Sequence, residues 1–186
     1  MVKFPKNRKW RVLSSEYLLR EGDWCTVRRD KVQLPNGTII PHWYVYEFPN
    51  WANVLAVTKE GKIVLISQYR HGIGQTHYEL PAGLIDSSDA SPMEGAKREL
   101  EEETGYGGGR WSLFMTISPN PTNSTNLNYC FLAEDVELVA ERHPESSEDI
   151  EVHLFTKAEV REILEQGGVI QALHTAPLWR YFAEER

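Results

Sequence analysis

The chain has 186 residues, of which 41% are hydrophobic and 25% charged, and its formal net charge is -7 at pH 7. This composition is typical of a soluble globular domain, and the negative charge argues against a nucleic-acid-binding surface. No apolar run reaches the length of a membrane span. The two cysteines, Cys25 and Cys130, lack a paired spacing, so we expect reduced thiols in a cytoplasmic protein.

The first predicted elements are β-strands. We predict strands at residues 10–19, 24–34 and 38–48, the last two joined by a Pro-Asn-Gly turn, which is a strong hairpin signal. The segment is rich in aromatic residues but short. We therefore expect residues 1–48 to form an N-terminal antiparallel β segment that packs on the main domain or on another subunit.

A second hairpin follows at residues 52–58 and 63–70. Both strands are almost continuously apolar, which indicates a central sheet covered on both faces. A helix follows from Ser91 to Gly105, and then strands at 111–118, 127–133 and 150–155. Thr156 caps a second helix, which Gly167-Gly168 ends. Residues 169–185 are predicted to be partly helical, and Pro177 starts or kinks the last piece.

The predicted helix after Ser91 has clear boundary signals. Ser91 is a natural N-cap, Pro92 suits the first helical position, and Gly105 suits the C-terminal stop. Glu94 stands where a capping box requires a glutamate. The predicted buried stripe consists of Met93, Ala96, Leu100 and Thr104.

The same helix carries an acidic face formed by Glu99, Glu102 and Glu103. Like charges at this spacing cost roughly 0.2–0.5 kcal/mol per pair, and the helix macrodipole disfavours anions in its C-terminal half. Arg98 is a candidate for the compensating charge. The residues alone leave two interpretations open: a solvated acidic face, or oxygen ligands for Mg²⁺ or Mn²⁺.

Residues 98–106 resemble a known motif, and this resemblance favours one of the two interpretations. Their sequence, Arg-Glu-Leu-Glu-Glu-Glu-Thr-Gly-Tyr, matches the second half of the Nudix box at every defined position. The chain therefore resembles the Nudix hydrolase superfamily. The resemblance implies an α/β fold, namely a Nudix α/β/α sandwich with a mixed central sheet over residues 49–186, and it favours the metal-site interpretation.

The loop before this helix departs from the family pattern. Gly83 and Arg98 are one position further apart than the family spacing. The slot of the first family glutamate is occupied by Asp89 when counted from Gly83 and by Ala90 when counted from Arg98. We expect an altered loop geometry here, with the activity retained.

Three further segments resemble the ADP-ribose pyrophosphatase, or nucleoside diphosphate sugar hydrolase, branch of the superfamily. They are residues 68–72, 79–86 and 148–153. Members of this branch form dimers with two-fold symmetry that exchange their N-terminal strands, so the resemblance implies a domain-swapped homodimer. From the net charge and the lack of a long apolar run we expect no nucleic-acid and no membrane partner.

The resemblance also implies roles for individual residues. The implied metal ligands are Ala82, through its backbone carbonyl, and Glu99, Glu103 and Glu148. Catalytic roles fall to Glu148, Glu102 and Arg98, with Arg98 orienting the glutamates. Three alternatives stay open for the general base: Glu148, Glu145 in place of a family glutamate that is Ser146 here, or no separate base.

Candidate substrate contacts are Arg70, Glu79 and Trp51. Arg70 is either a phosphate clamp or the partner of Glu79 in a structural salt bridge. Trp51 belongs to an aromatic group in which one member could stack on a planar ring.

The expected function is Mg²⁺-dependent hydrolysis of the pyrophosphate bond in nucleoside diphosphate sugars such as ADP-ribose, with Mn²⁺ as an alternative ion. The products would be a nucleoside monophosphate and a sugar phosphate. The alternatives are a nucleoside triphosphate or dinucleotide pyrophosphatase, and a catalytically weak nucleotide-sensing module.

Overall fold

The computed structural model describes residues 2–22, 25–143 and 149–184. These residues form two compact units. The first consists of Met1–Pro49 with Asn120–Asn126, and the second of Asn50–Pro119 with Leu127–Arg186. The domain limit between residues 48 and 49 remains our proposal.

The first unit is a three-stranded antiparallel sheet in the order β1 (Arg11–Glu21), β2 (Cys25–Gln33) and β3 (Ile39–Glu47). The predicted turn closes the β2–β3 hairpin, with Gly37 at φ 89°. Val32 is buried, whereas Val12, Leu18 and Leu19 are exposed. The antiparallel β segment predicted from the sequence is confirmed, and its apolar side chains are only partly covered.

Residues 120–126 join this unit through backbone hydrogen bonds. Tyr46 donates its N–H to the carbonyl of Asn123 (2.7 Å), and Thr125 donates to the carbonyl of Tyr46 (3.1 Å). The indole N–H of Trp43 donates to the carbonyl of Thr122 (3.2 Å). The polar loop is thereby fixed to β3.

The second unit contains a mixed eight-stranded sheet. Its strands are β4 (Trp51–Thr58), β5 (Ile63–Arg70), β6 (Gln75–Glu79), β7 (Ala82–Leu84), β8 (Tyr106–Gly107), β9 (Arg110–Ile117), β10 (Asn128–Leu138) and β11 (Ile150–Phe155). The main path runs β11-β5-β4-β10-β8, while β6 pairs with β5, β7 with β4 and β9 with β10. The β4–β10 pair is parallel and the others are antiparallel.

Three helices cover this sheet: α1 (Pro92–Thr104), α2 (Lys157–Glu165) and α3 (Ala172–Ala183). Alternate residues of β4 point to opposite faces. Val54 and Ala56 lie in a core cluster with Leu100 of α1. The next residues along β4, including Leu55, lie in another cluster with Leu178 of α3. The predicted α/β/α sandwich is confirmed, and each fully buried aliphatic side chain contributes about 1.5–3 kcal/mol.

Pro177 lies inside α3, whereas the sequence predicts it at the start of a helix or at a kink. A proline has no N–H for the carbonyl four residues earlier, which here is Leu173. That carbonyl instead accepts a hydrogen bond from the buried Asn53 side-chain amide of β4, at 2.8 Å. The lost helical bond is therefore replaced by one that fastens α3 to the sheet.

Within the described ranges, no helix is both long and apolar enough to cross a membrane.

Candidate active site

The caps of α1 place its acidic face. The Ser91 hydroxyl accepts the Glu94 N–H (3.3 Å), and Gly105 adopts φ 75° at the C-terminus. The Glu94 carboxylate pairs with Lys97 (2.9 Å), so the structure contains the Ser91 half of the predicted capping box. The helix packs on β4 and β7, and this contact turns Glu99 and Glu103 toward β7.

Glu99 and Glu103 are buried against β7. Glu103 is 2% exposed, and its Oε2 accepts the backbone N–H of Ala82 at 2.9 Å. A Cβ at position 83 would collide with the Glu99 carboxylate, so only glycine leaves room for that side chain. The predicted ligand positions Glu99, Glu103 and Ala82 are therefore neighbours in the fold.

Arg98 connects the acidic residues. Its Nη1 donates to Glu99 Oε1 (2.8 Å) and Glu102 Oε2 (2.9 Å), and its Nη2 donates to the carbonyl of Leu84 (2.9 Å). Hydrogen bonds to Asp89 are the largest cause of an Arg98 pKa raised above its usual range. One guanidinium thus orients two glutamates and ties them to β7.

Asp89 is the residue of the longer loop that binds Arg98. Its carboxylate accepts bonds from Arg98 Nε (3.3 Å) and Nη2 (3.2 Å), and from the N–H of Asp86 (2.8 Å). A Cβ on Gly95 would lie 2.7 Å from Asp89 Oδ2, so this glycine gives the aspartate room. The bonds from Arg98 are the main cause that lowers the Asp89 pKa. Asp89, rather than Ala90, occupies the position from which a carboxylate meets Arg98.

We expect Asp89→Asn to destabilise the fold by about 1–2 kcal/mol, because a charge-assisted pair with Arg98 is lost. The matched control is Asp86→Asn, since Asp86 lies 3.5 Å from Arg98 but its side chain is 56% exposed, against 8% for Asp89. The control should cost less than about 0.5 kcal/mol. Equal losses for the two variants in urea unfolding would contradict the assignment of Asp89 as the loop's structural carboxylate.

The type of donor that α1 presents suits a hard divalent cation. Glu99, Glu102 and Glu103 offer carboxylate oxygens, the ligands that Mg²⁺ and Mn²⁺ prefer. In the part of the chain that the structure describes, no three His, Cys, Asp or Glu side chains form a group that could hold a metal ion. Here Arg98 pairs with Glu99 and Glu102, while one oxygen of Glu103 accepts the Ala82 N–H. An ion at this position would compete with those contacts and would relieve the repulsion among the carboxylates.

Arg70 and Glu79 form a two-bond salt bridge. Arg70 Nε donates to Glu79 Oε1 at 2.9 Å, and Nη2 donates to Oε2. The carboxylate of Glu79 is buried, with its side chain 2% exposed, whereas the Arg70 side chain is 41% exposed. Of the two alternatives for Arg70, the structure contains the salt bridge; a phosphate contact by the same guanidinium remains a proposal.

His174 of α3 also contacts Glu79, and sequence patterns contained no signal for it. Its Nδ1 accepts the N–H of Leu80, a residue 94 positions away, so the ring proton resides on Nε2. Nε2 lies 2.9 Å from Gln171 Oε1 and 3.5 Å from Glu79 Oε2. Burial lowers the pKa of His174 to about 4, with Glu79 opposing this shift and Arg70 adding to it.

The buried His174 predicts a pH-dependent stability. Its ordinary pKa is 6.5 and its folded pKa about 4, so between these values the unfolded chain binds a proton that the folded chain does not. The free energy of unfolding therefore falls as the pH drops, by about 2 kcal/mol from this residue between pH 7 and pH 5. Urea unfolding at both pH values should show this loss, and His174→Asn should remove it. A variant with the wild-type pH dependence would contradict it.

Trp51 and the predicted acidic loop remain. Trp51 is the first residue of β4 and is half-buried, paired with Leu84 of β7 and Asn128 of β10. Glu145, Ser146 and Glu148 lie outside the described residues. His143, the last described residue before them, donates its N–H to the backbone carbonyl of Glu102 (2.8 Å).

Comparisons with known proteins identify the family of the chain. The NUDIX domain model matches residues 48–180, and the model of the nucleoside diphosphate sugar hydrolase N-terminal domain matches residues 10–46. The ADP-ribose pyrophosphatase of Bacillus subtilis is 33% identical over 144 residues, 77% of each chain. That of Mycobacterium tuberculosis is 31% identical over 166 residues, 88% of this chain and 79% of the relative.

One solved structure, described as the crystal structure of ADP compounds hydrolase, superposes with a TM-score of 0.82. The match covers 98% of both chains at 20% sequence identity. At that identity the likeness establishes the shared fold. It extends over the N-terminal sheet as well as the sandwich.

Proposed function

Because the chain belongs to the Nudix family, we propose that it hydrolyses the pyrophosphate bond of nucleoside diphosphate sugars, with ADP-ribose as the first substrate to test. The products would be a nucleoside monophosphate and a sugar phosphate. The observation that carries the proposal is the carboxylate group on α1, oriented by Arg98 beside β7. The N-terminal match to a nucleoside diphosphate sugar hydrolase domain and the two ADP-ribose pyrophosphatase relatives favour this substrate class.

Nudix hydrolases need divalent metal ions, and we propose Mg²⁺, with Mn²⁺ as the alternative. Glu99, Glu103 and the backbone carbonyl of Ala82 would hold the metal, assisted by Glu102 and by Glu148. When bound, such an ion neutralises the charge on the diphosphate and lowers the pKa of the attacking water.

The remaining work falls to the chain's own residues. Arg98 keeps Glu99 and Glu102 in fixed orientations, which reduces the reorganisation needed when the charged substrate binds. Arg70 binds a substrate phosphate through its exposed side, while buried Glu79 keeps the guanidinium in place. Trp51 stacks on a planar ring of the substrate.

The general base is Glu148 in our proposal, since its segment, residues 148–153, resembles the nucleoside diphosphate sugar hydrolase branch. Glu145 is the alternative, and a third possibility is that no separate base is needed. A base with a pKa below neutral would appear as the acidic limb of the pH profile of kcat/KM. Loss of that limb in Glu148→Gln would favour Glu148, and its loss in Glu145→Gln would favour Glu145.

We also propose a homodimer with exchanged N-terminal strands. Exposed Val12, Leu18 and Leu19 of β1 offer apolar surface that a second copy could cover. A cytoplasmic location suits the free thiols of Cys25 and Cys130. Sedimentation of the wild-type chain tests the dimer, and a monomer at micromolar concentration would refute it.

A substrate panel with Mg²⁺ tests the substrate class. It should contain ADP-ribose, GDP-mannose, a UDP-sugar, a dinucleotide and a nucleoside triphosphate, compared by kcat/KM. A preference for a nucleoside diphosphate sugar supports the proposal. A preference for triphosphates or dinucleotides would instead make the chain a pyrophosphatase of those compounds. Tight binding without turnover of any compound would indicate a nucleotide-sensing module.

A further inference from the structure

The first turn of α3 is fastened at two points, to β4 and to the connection between β6 and β7. Asn53 of β4 binds the carbonyl of Leu173, which Pro177 leaves without its helical partner. His174, the next residue, binds the N–H of Leu80 through Nδ1 at 3.2 Å. The two attachments are adjacent in sequence and both are buried.

His174 thereby contacts the segment between β6 and β7. Leu80 is followed by Pro81, whose carbonyl accepts the N–H of Val54 (2.9 Å), and by Ala82, whose N–H binds Glu103 (2.9 Å). The hydrogen bond from the Leu80 N–H to His174 is one of three that fix the backbone of residues 80–82. It helps to hold the backbone that presents the proposed Ala82 ligand.

The opposite side of the imidazole faces the proposed phosphate clamp. Nε2 carries the ring proton and points to Gln171 Oε1 and Glu79 Oε2. Glu79 in turn holds Arg70 by two hydrogen bonds. A single buried ring, 3% exposed, therefore contacts both Leu80, two residues before the proposed Ala82 ligand, and Glu79, which holds Arg70.

We infer that His174 is a positioning residue for the hydrolytic reaction, acting on the Ala82 backbone through Leu80 and on Arg70 through Glu79. The inference rests on the proposed function for what the two groups do, and on the hydrogen bonds above for how they are held. It assigns to α3, which lies on the sheet face opposite α1, an influence on the site that passes through Leu80 and Glu79.

Two near-isosteric variants separate the contacts. The asparagine side chain introduced by His174→Asn would place an acceptor near the Nδ1 position and keep the bond to Leu80, while losing the group near Glu79. His174→Gln would keep a polar group near the Nε2 position and lose the acceptor for Leu80. We expect His174→Asn to raise the KM for ADP-ribose about tenfold, and His174→Gln to weaken Mn²⁺ binding about 10–100-fold, as changes to outer-shell partners do.

The measurements are initial rates over ADP-ribose concentration and calorimetric titration with Mn²⁺, on variants whose thermal unfolding shows that they are folded. Thr175→Val is the matched control, because the Thr175 hydroxyl donates to the carbonyls of Val169 and Gln171 within the same turn. It should lower thermal stability while KM and Mn²⁺ affinity stay at wild-type values.

Folded His174 variants with wild-type KM and Mn²⁺ affinity would overturn the inference. Equal shifts in Thr175→Val would also overturn it, because the effects would then reflect general loosening of α3. If the wild-type chain hydrolysed no diphosphate, the proposed function would fail. The Mn²⁺ affinity of His174→Gln, compared with that of the wild type, would still test whether His174 positions the Ala82 backbone.

Discussion

Glu103→Gln should lower kcat/KM by about a thousandfold while leaving the chain folded. A unit charge at about 4 Å contributes about 4 kcal/mol at an effective dielectric of 20, and a loss of that size corresponds to about three decades in rate. The substituted amide keeps an oxygen that can accept the Ala82 N–H, so the buried contact at 2.9 Å survives. The effect should therefore appear in activity and in Mn²⁺ affinity more than in stability.

The matched control for this prediction is Glu101→Gln. Glu101 lies on the same helix, two residues earlier, with its side chain exposed to solvent. The substitution removes one negative charge from α1 at a side chain that does not contact β7. The kcat/KM of this variant should stay within about twofold of wild type. Full activity in Glu103→Gln, or an equal loss in Glu101→Gln, would remove the basis for placing the metal at Glu103.

Arg98→Met should be the most destabilising single change in the acidic group. It leaves Asp89, Glu99 and Glu102 without the guanidinium that binds all three. Glu102 is exposed but Asp89 and Glu99 are nearly buried, so breaking this part-buried ionic network should cost about 2–3 kcal/mol, less than a fully buried one. We also expect at least a hundredfold loss of kcat/KM, since the glutamates are no longer oriented. Urea unfolding and initial-rate measurements check the two effects separately.

Arg98→Lys and Lys97→Met complete this test. A lysine keeps the charge but cannot reach several acceptors in the fixed geometry of a guanidinium, so Arg98→Lys should retain only part of the stability. Lys97 is a neighbouring cation whose exposed ammonium pairs with Glu94, and its loss should cost less than about 0.5 kcal/mol. Wild-type stability in Arg98→Lys would mean that net charge, not bridging, is what the site requires.

Local signals predicted the parts of the fold that depend on neighbours in sequence. Ser91, Pro92 and Gly105 bound α1 as expected, because capping is decided within one turn. Strands β5 and β11 lie at their predicted limits, because an apolar run opens β5 and apolar and polar residues alternate in β11. The short strands β6, β7 and β8 were not predicted, since few residues and little periodicity distinguish them from loops.

Local sequence signals could not predict contacts between residues that are far apart in the sequence. The position of Asp89 opposite Arg98 could not be chosen over Ala90 by counting, because the loop's path decides which residue reaches the guanidinium. The Asn53–Leu173 and His174–Leu80 bonds join α3 to β4 and to the end of β6. No periodicity links residues that far apart.

The most direct test of metal-dependent hydrolysis is to follow ADP-ribose by phosphorus NMR in the presence of the wild-type protein and Mg²⁺, before and after the metal is chelated. We expect the diphosphate resonances to be replaced by those of a nucleoside monophosphate and a sugar phosphate, with the conversion stopping on chelation and resuming when Mg²⁺ is restored. Persistence of the diphosphate resonances, or conversion at the same rate after chelation, would contradict a metal-dependent diphosphate hydrolase built on the glutamates of α1.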